Sequence, residues 1–416
     1  HAGGNTPQAL VNWAAARNAA SEHHLALLCG AEFLGSLMKA LKSGGDLSLY
    51  GGEEREAPEM WGEGRFGYTK QEGAHGINAP ISAYPLYENG LRAHRRRGIA
   101  AHRAAIGRLM APFTEIAARN PYSWFPTARS AEEIATEGPS NRMIGFPYTK
   151  YMNAIIQVDQ SAAVILASSA RADALGVPHE KRVYLHGCSD TTELWHMLDR
   201  VDYHSSPAIR VGAQKAFSMA GKGQADMRFF DLYSCFPCAV QIAAAEIGVA
   251  EDDARGLTVT GGLPYFGGPG NNYVMHSIAE MAQRLRGAPG AFGLVTANGW
   301  FLTKHAMGVY STTPTQGAWA RENPKAYQKE IDALAHPNIV LEPTGPAKIE
   351  TYTVMHGRSG GRRGIIIGRD AQDRRFVARP PDDERILDSL ERSEGVGRIG
   401  TVTSEPGGLN NIFTPS

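Results

Sequence analysis

The chain has 416 residues, enough for two or three domains with substantial cores. Its 42 lysines and arginines balance 42 aspartates and glutamates, so the charge gives no reason to expect nucleic acid or an anionic membrane surface as a partner. No run of about 18 apolar residues is present, which argues against a transmembrane helix. A hydrophobic content of 43% indicates a soluble globular protein, which we expect to be cytoplasmic.

The first elements in chain order are a helix and a strand. Asn5 and Pro7 are typical of a helix start, and the helix is predicted to run to about Ser21. The apolar run LALLCGAE (25–32) predicts a strand that is buried on both faces, with Cys29 inside it. The chain opens without a methionine, so we expect a natural protein that begins upstream.

Residues 45–150 lack long periodic runs and are interpreted as an inserted lid or loop domain. One predicted helix in this part has a basic face, formed by Arg92, Arg95, Arg96, Arg97 and Arg103. A solvated helix face and a surface that attracts a phosphorylated ligand are the two interpretations.

Residues 182–344 alternate between predicted strands and helices, which indicates sheets covered by helices. The strand candidates are VYLHGC, DMRFFDLY and FGLVTANG, and the helix candidates are 207–220, 237–247 and 272–286. From residue 345 to the end, several short strands and one helix fit a small β-barrel of the oligonucleotide/oligosaccharide-binding type.

The stretch Thr258–Arg286 predicts a strand end, a glycine-dense loop and an amphipathic helix. The loop contains Gly261, Gly262, Gly267, Gly268 and Gly270. Such a loop lets the backbone approach a ligand, and the helix start presents free N–H groups to it. A plain connection without chemistry is the alternative interpretation.

Four cysteines in a chain of this length do not make a disulfide framework. Cys235 and Cys238 form a C-x-x-C motif, for which a zinc site, a redox pair and cysteines packed at a helix start are all open interpretations. No second ligand pair lies at a suitable spacing, so we expect no resident metal.

Several motifs together resemble the thiolase superfamily. They are the glycine loop, the YSCF segment (233–236), the Asn298–Gly299 turn, and the strings GGNTPQ, NRMIGFPYTK and LTKHAMGVYST. With the C-terminal barrel, the pattern is similar to that of the thiolase-like proteins type 1.

The resemblance implies an α/β fold with a five-layer α/β/α/β/α core and a C-terminal OB-like β-barrel. The opening strands of the core would be missing, together with about 80 residues. The implied domains are 1–44 with 151–181 (N-terminal half), 45–150 (loop domain), 182–344 (C-terminal half) and 345–416 (barrel).

Thiolase chemistry uses two cysteines, a histidine and an oxyanion hole. The resemblance places the nucleophile near Gly3, the loop histidine at Gly268 and the second cysteine at the Asn298–Gly299 turn. All three reactive side chains are therefore absent. Cys235 matches the cysteine of an HDCF motif, and Tyr233 replaces the residue that positions a water.

The resemblance implies a protein that binds CoA or an acyl-CoA, without a covalent cofactor, and that is classed as a putative acetyl-CoA acetyltransferase. Candidate catalytic residues are Tyr233, Cys235, His276 and His305, although each histidine also has a structural interpretation. Candidate ligand-binding residues are Gly3, Gly4, Gly262, Gly267, Gly268, Asn298 and Gly299. The N–H groups of Gly268 and Gly299 would form an oxyanion hole.

The alternative is a non-catalytic scaffold or regulatory subunit that binds CoA esters and uses its barrel to dock another protein. A homodimer through the thiolase core is expected by analogy.

Overall fold

The computed structural model describes residues 3–46, 61, 62 and 64–416. The α-helices are α1 (Thr6–Ala19), α2 (Leu34–Ser43), α3 (Lys70–Ala74), α4 (Pro80–His94), α5 (Ile99–Arg119), α6 (Ala131–Ala135), α7 (Ser169–Ala174), α8 (Pro207–Ala220), α9 (Pro237–Ile247), α10 (Tyr273–Arg286), α11 (Pro324–Asp332) and α12 (Glu384–Arg392). The strands are β1 (Leu25–Phe33), β2 (Met143–Gly145), β3 (Tyr148–Thr149), β4 (Asp159–Ala167), β5 (Tyr184–Thr192), β6 (Met227–Asp231), β7 (Phe292–Gly299), β8 (Lys304–Ser311), β9 (Gly345–His356), β10 (Arg362–Asp370), β11 (Arg375–Ala378), β12 (Ile399–Ser404) and β13 (Asn411–Pro415).

A four-stranded sheet lies at the centre of the described residues, in the order β5-β8-β7-β6. β6 runs parallel to β7, and the other neighbours are antiparallel. Helices α1, α8 and α10 pack against this sheet. The strands and helices predicted between residues 182 and 299 are confirmed as β5, β6, β7, α8, α9 and α10.

The C-terminal sheet follows the order β11-β10-β9-β12-β13. Its two outer strands meet, because Arg379 N–H donates to Asn411 O at 2.9 Å and Phe413 N–H donates to Arg379 O at 2.8 Å. This junction brings the two ends of the strand order together, and the predicted C-terminal barrel stays a prediction. The oligonucleotide/oligosaccharide-binding type and the docking role stay predictions.

The C-terminal sheet also receives a strand from the predicted loop domain. β2 pairs with β9 at Gly145 and Met355. Met143 and Phe146 belong to the same hydrophobic cluster as Ile366 inside the sheet. The predicted division into domains stays a prediction, and this segment links two of its parts.

The first strand is less buried than its sequence suggests. β1 pairs with β4 in a two-stranded sheet, and alternate residues of β1 are exposed. The prediction that the run 25–32 is buried on both faces, with Cys29 inside, is wrong, since Cys29 is exposed. Leu27 is 65% and its cross-strand partner Ile165 is 73% exposed. A continuous apolar run does not reveal how many faces of the strand are covered.

The predicted basic face of the loop domain is not formed as one surface. Arg92 is fully buried and pairs with Glu394 at 2.6 Å. Arg95 pairs with Glu251, and Arg103 lies 3.5 Å from a third carboxylate. These arginines therefore join elements of the fold. Within the described ranges, no helix combines the length and the apolar character that a membrane crossing requires.

The core of the C-terminal sheet offers a direct stability test. Ile366 is fully buried, so Ile366→Ala is expected to lower the free energy of unfolding by about 2–5 kcal/mol in urea denaturation. Ile399 lies in the same sheet but is 67% exposed, so Ile399→Ala should change it by less than about 0.5 kcal/mol. Equal effects would contradict the burial described here.

Candidate functional site

The start of α1 touches two turns that lie far away in the sequence. A Cβ atom at Gly4 would lie 2.2 Å from Tyr233 Oη and 2.6 Å from Asn298 O. A Cβ atom at Gly3 would lie 3.2 Å from Gly299 Cα. The structure thus brings together five of the residues singled out from the sequence.

Buried amide side chains hold α1 in this position. Gln8 Oε1 accepts from Tyr310 Oη at 2.9 Å, and Asn12 Nδ2 donates to Ser189 O at 3.0 Å. Both amides are fully buried, where an unmade hydrogen bond would be costly. Our sequence analysis missed them, although polar residues four apart in an alanine-rich helix were a usable signal.

The position expected for a nucleophile is filled by neighbouring groups. Gly3 has a φ of +133°, which side chains rarely adopt, and a Cβ there would lie 3.2 Å from Lys304 Cε. A Cβ atom added at Gly4 would lie nearer to the Tyr233 hydroxyl than real Cβ atoms lie to any neighbour. The packing around these two glycines therefore leaves no room for a cysteine side chain.

Cys235 lies beside the same turns in a protonated state. Its Sγ is 4.0 Å from Asn298 Nδ2, which also donates to Tyr84 Oη at 2.8 Å. Burial raises the pKa of the Cys235 thiol to about 12, although a hydrogen bond with Tyr84 acts in the opposite direction. At neutral pH this cysteine is a neutral thiol and a weak nucleophile.

His305 lines a cavity of about 10 Å³ together with Tyr233 and Asn298. This volume is about that of one water-sized probe. Burial lowers the pKa of His305 to about 3, so its imidazole is neutral, and Nε2 lies 3.2 Å from Leu302 O. Burial also raises the pKa of Tyr233 above its ordinary value. The groups around the cavity are therefore uncharged.

His276 is not part of this group. Its ring packs against Phe266 at 5.3 Å, and Tyr273 packs against both Phe266 and Tyr233. Burial lowers the pKa of His276 to about 4, and its Nε2 has no hydrogen-bond partner among the described residues. The two histidines proposed from the sequence therefore occupy different environments.

The glycine loop packs closely against neighbouring segments of the chain. Gly268 N–H donates to Ile155 O at 2.9 Å, so this amide is occupied in the present conformation, and its oxyanion role stays a prediction. A Cβ at Gly267 would lie 2.4 Å from Gln160 Oε1, and one at Gly262 would lie 2.8 Å from Ser234 Oγ. These glycines permit close packing of the loop against its neighbours.

The carboxylate of Asp231 anchors the beginning of that loop. Its oxygens accept from Val259 N at 2.9 Å, Thr260 N at 3.2 Å and Ser277 Oγ at 2.8 Å. Burial raises the pKa of Asp231 above its ordinary value, and these donors oppose the rise. The loop conformation thus depends on a fully buried acid that the sequence analysis did not single out.

The turn after Asn298 has a strained backbone. Trp300 and Leu302 have φ values of +55° and +54°, which non-glycine residues seldom adopt. Tyr84 Oη donates to Trp300 O at 3.1 Å, and Tyr87 Oη donates to Phe301 O at 3.0 Å. Strain of this kind is frequently found at functional sites.

The C-x-x-C motif lies at the start of α9. Cys235 and Cys238 are both buried and both free thiols. Cys238 N–H donates to Tyr148 Oη at 3.3 Å, and its Sγ lies 3.5 Å from Tyr84 O. Among the residues described, no group of three or more histidines, cysteines and carboxylates is arranged to hold a metal ion.

The contact at Gly4 predicts a steric effect with a partial rescue. Gly4→Ala is expected to lower the free energy of unfolding by about 1–3 kcal/mol, because its Cβ would meet Tyr233 Oη and Asn298 O. Adding Tyr233→Phe should recover part of this loss, since it removes the nearer atom. Gly138 is exposed, with nothing within 4 Å of an added Cβ, so Gly138→Ala is the control. Equal denaturation midpoints for both alanine variants would refute the contact.

The cysteines should differ sharply in alkylation. With iodoacetamide at pH 8, Cys29 should react first because it is exposed. Cys235 should react slowly, since a pKa of about 12 leaves about one thiolate in ten thousand thiols. Peptide mass spectrometry over time measures both rates in the same sample. Labelling of Cys235 as fast as that of Cys29 would show that it is an accessible, activated nucleophile.

The chain was compared with models of known protein families and with solved structures. The family model described as the thiolase-like protein type 1 additional C-terminal domain matches residues 326–406. The crystal structure of a monomeric SCP2-thiolase-like protein type 1 from Mycobacterium smegmatis matches the whole chain. The two share 38% sequence identity over 100% of this chain and 83% of that one, with a TM-score of 0.87. No curated protein matched the chain significantly.

More distant structures share the fold alone. The dimeric peroxisomal thiolase of Saccharomyces cerevisiae is 14% identical over 74% of each chain, with a TM-score of 0.52. The Ltp2–ChsH2(DUF35) aldolase is 17% identical over 75% of this chain and 78% of that one, with a TM-score of 0.55. The expected homodimer stays a prediction. The overall α/β thiolase fold is confirmed, and the chain belongs to the SCP2-thiolase-like protein type 1 family.

Proposed function

We propose that this protein binds a coenzyme A thioester without catalysing thiolysis. The claim that thiolysis is not catalysed rests on the contact of Gly4 with Tyr233 and Asn298. No side chain fits at Gly4 without displacing a neighbour, and Gly3 is restricted by its φ of +133°. A covalent acyl-enzyme at the start of α1 therefore has no attachment point.

Unpartnered polar atoms support binding at this place. The Oδ1 atoms of Asn5 and Asn298 are buried, and neither has a hydrogen-bond partner among the described residues. Each such acceptor costs about 1–3 kcal/mol while it is unsatisfied. The amide N–H groups in the pantetheine arm of CoA are donors of the type that these oxygens lack.

The volume of the site implies that binding moves a side chain. A cavity of about 10 Å³ does not hold a thioester group, whose smallest acyl chain already exceeds a water molecule. Tyr233 lines this cavity, and Trp300, two residues after Asn298, is only partly buried. We therefore expect the fluorescence of Trp300 to change when the ligand enters.

Acyl transfer through Cys235 is the second candidate, and the 4.0 Å contact with Asn298 Nδ2 favours it. Its thiol would need a pKa well below the value of about 12 that burial produces here. Binding without turnover agrees better with a site whose thiol, imidazole and phenol are all neutral.

Calorimetric titration with CoA, acetyl-CoA and acetoacetyl-CoA, combined with a thiolysis assay, tests the proposal. Binding with no thiolysis is expected. Asn298→Ser should weaken the binding of acetyl-CoA by about tenfold, which corresponds to one lost hydrogen bond in a buried site. Asn338→Ser is the control, because Asn338 is exposed. Thiolysis by the wild-type protein would overturn the claim of inactivity, and an absence of heat with all three ligands would overturn the claim of binding.

A further inference from the structure

The C-terminal sheet contacts the central part of the chain through a fully buried arginine, Arg375 of β11. Its guanidinium pairs with Glu350 of β9, with Nε to Oε2 at 2.8 Å and Nη2 to Oε1 at 2.6 Å. On the other side, Nη1 donates to Leu198 O at 2.9 Å and also to Arg200 O. One side chain of the sheet therefore fixes the backbone of the segment 198–200.

The side chain of Arg200 continues from that segment to the turn after Asn298. Nη1 donates to Leu302 O at 2.7 Å, and Nη2 donates to Phe301 O at 3.1 Å and to Thr303 Oγ1 at 2.8 Å. Arg200 is 4% exposed, and within the described residues its hydrogen bonds go only to uncharged oxygens. Its role in this structure is therefore to hold backbone.

The turn needs this support because its backbone is strained. Positive φ values at Trp300 and Leu302 are unfavourable for non-glycine residues, and such conformations persist only where their surroundings determine them. Arg200, Tyr84 and Tyr87 bind the three consecutive carbonyl groups of residues 300–302. Loss of the guanidinium would remove one of the two donors to Phe301 O and the 2.7 Å donor to Leu302 O, which would keep only the longer contact with His305 Nε2 at 3.2 Å.

We propose that Arg375 and Arg200 are positioning residues through which the C-terminal sheet holds the Gly299–Thr303 turn at the candidate site. The path is contiguous, from Glu350 through Arg375 to the 198–200 backbone, and then through the Arg200 side chain to the turn. The additional C-terminal domain thereby helps to shape the site, whether or not the domain also docks a partner. The effect on ligand affinity rests on the proposed function, whereas the effect on the turn does not.

Hydrogen exchange of the turn tests the path in the full chain. The amides of Leu302 and Thr303 are protected by Tyr84 Oη and Gly299 O. Arg375→Lys keeps the charge but cannot bind Glu350 and two carbonyls together, so exchange at these amides should accelerate on the order of tenfold. Arg200→Lys should give the same acceleration, and the double variant should add little to either single one.

Arg362→Lys is the matched control. Arg362 lies in β10 of the same sheet and pairs with Glu384, Asp388 and Glu391, away from the segment 198–200. The Arg362→Lys variant should leave the amide hydrogen exchange of Leu302 and Thr303 unchanged. Urea denaturation of each variant separates a local effect from a global one. If Arg375→Lys proves unstable, Glu350→Gln removes the charge behind Arg375 at nearly constant shape and should accelerate exchange less.

The outcomes separate the two proposals. Unchanged exchange at Leu302 and Thr303 in Arg375→Lys, or an equal acceleration in Arg362→Lys, would overturn the positioning role even if acetyl-CoA binds. Accelerated exchange in Arg375→Lys alone would support it even if no CoA ester binds. With binding established, acetyl-CoA affinity should fall in Arg375→Lys and not in Arg362→Lys.

Discussion

The conformation of the turn between β7 and β8 depends on buried side chains that donate hydrogen bonds to its carbonyl groups. Two of its residues have left-handed backbone conformations, and no glycine or asparagine relieves them at positions 300 and 302. Arg200, Tyr84 and Tyr87 arrive from different parts of the chain to bind these carbonyls. The position of Asn298, and with it the geometry of the site, therefore depends on contacts that are distant in sequence.

The electrostatic character of the site differs from that of an acid–base centre. The thiol of Cys235 stays protonated, the imidazole of His305 stays neutral, and both follow from burial. Catalytic groups usually have a pKa near the working pH, whereas these two are displaced far from it in opposite directions. Such a site suits recognition of an uncharged group better than movement of protons.

The sequence predicted the regular part of this fold well. Periodicity and N-terminal prolines located α1, α8, α9 and α10, because those helices bury one clear apolar face or have a proline in their first turn. The motifs also placed Gly4, Tyr233 and Asn298 in one site, since segments with related sequences occupy related positions. For β1 the prediction of burial was wrong, because its apolar run says nothing about the elements available to cover it.

The parts that could not be predicted are long-range hydrogen bonds. Tyr84, Arg200 and Asp231 carry no local signal, since each acts on groups that only the tertiary structure brings near. His276 and His305 looked alike in the sequence and differ only in what surrounds them. The same holds for Gly268, whose amide proved to be occupied by Ile155.

The close packing at Gly4 also has an evolutionary meaning. A cysteine introduced at this position by one substitution would meet the Tyr233 hydroxyl and the backbone of Asn298 before it could meet a substrate. Tyr233 would have to become smaller first, and the turn would have to shift, while each step alone leaves a cavity or a clash. Covalent acyl chemistry at Gly4 would thus require several coordinated substitutions, so no single substitution at this position would introduce it.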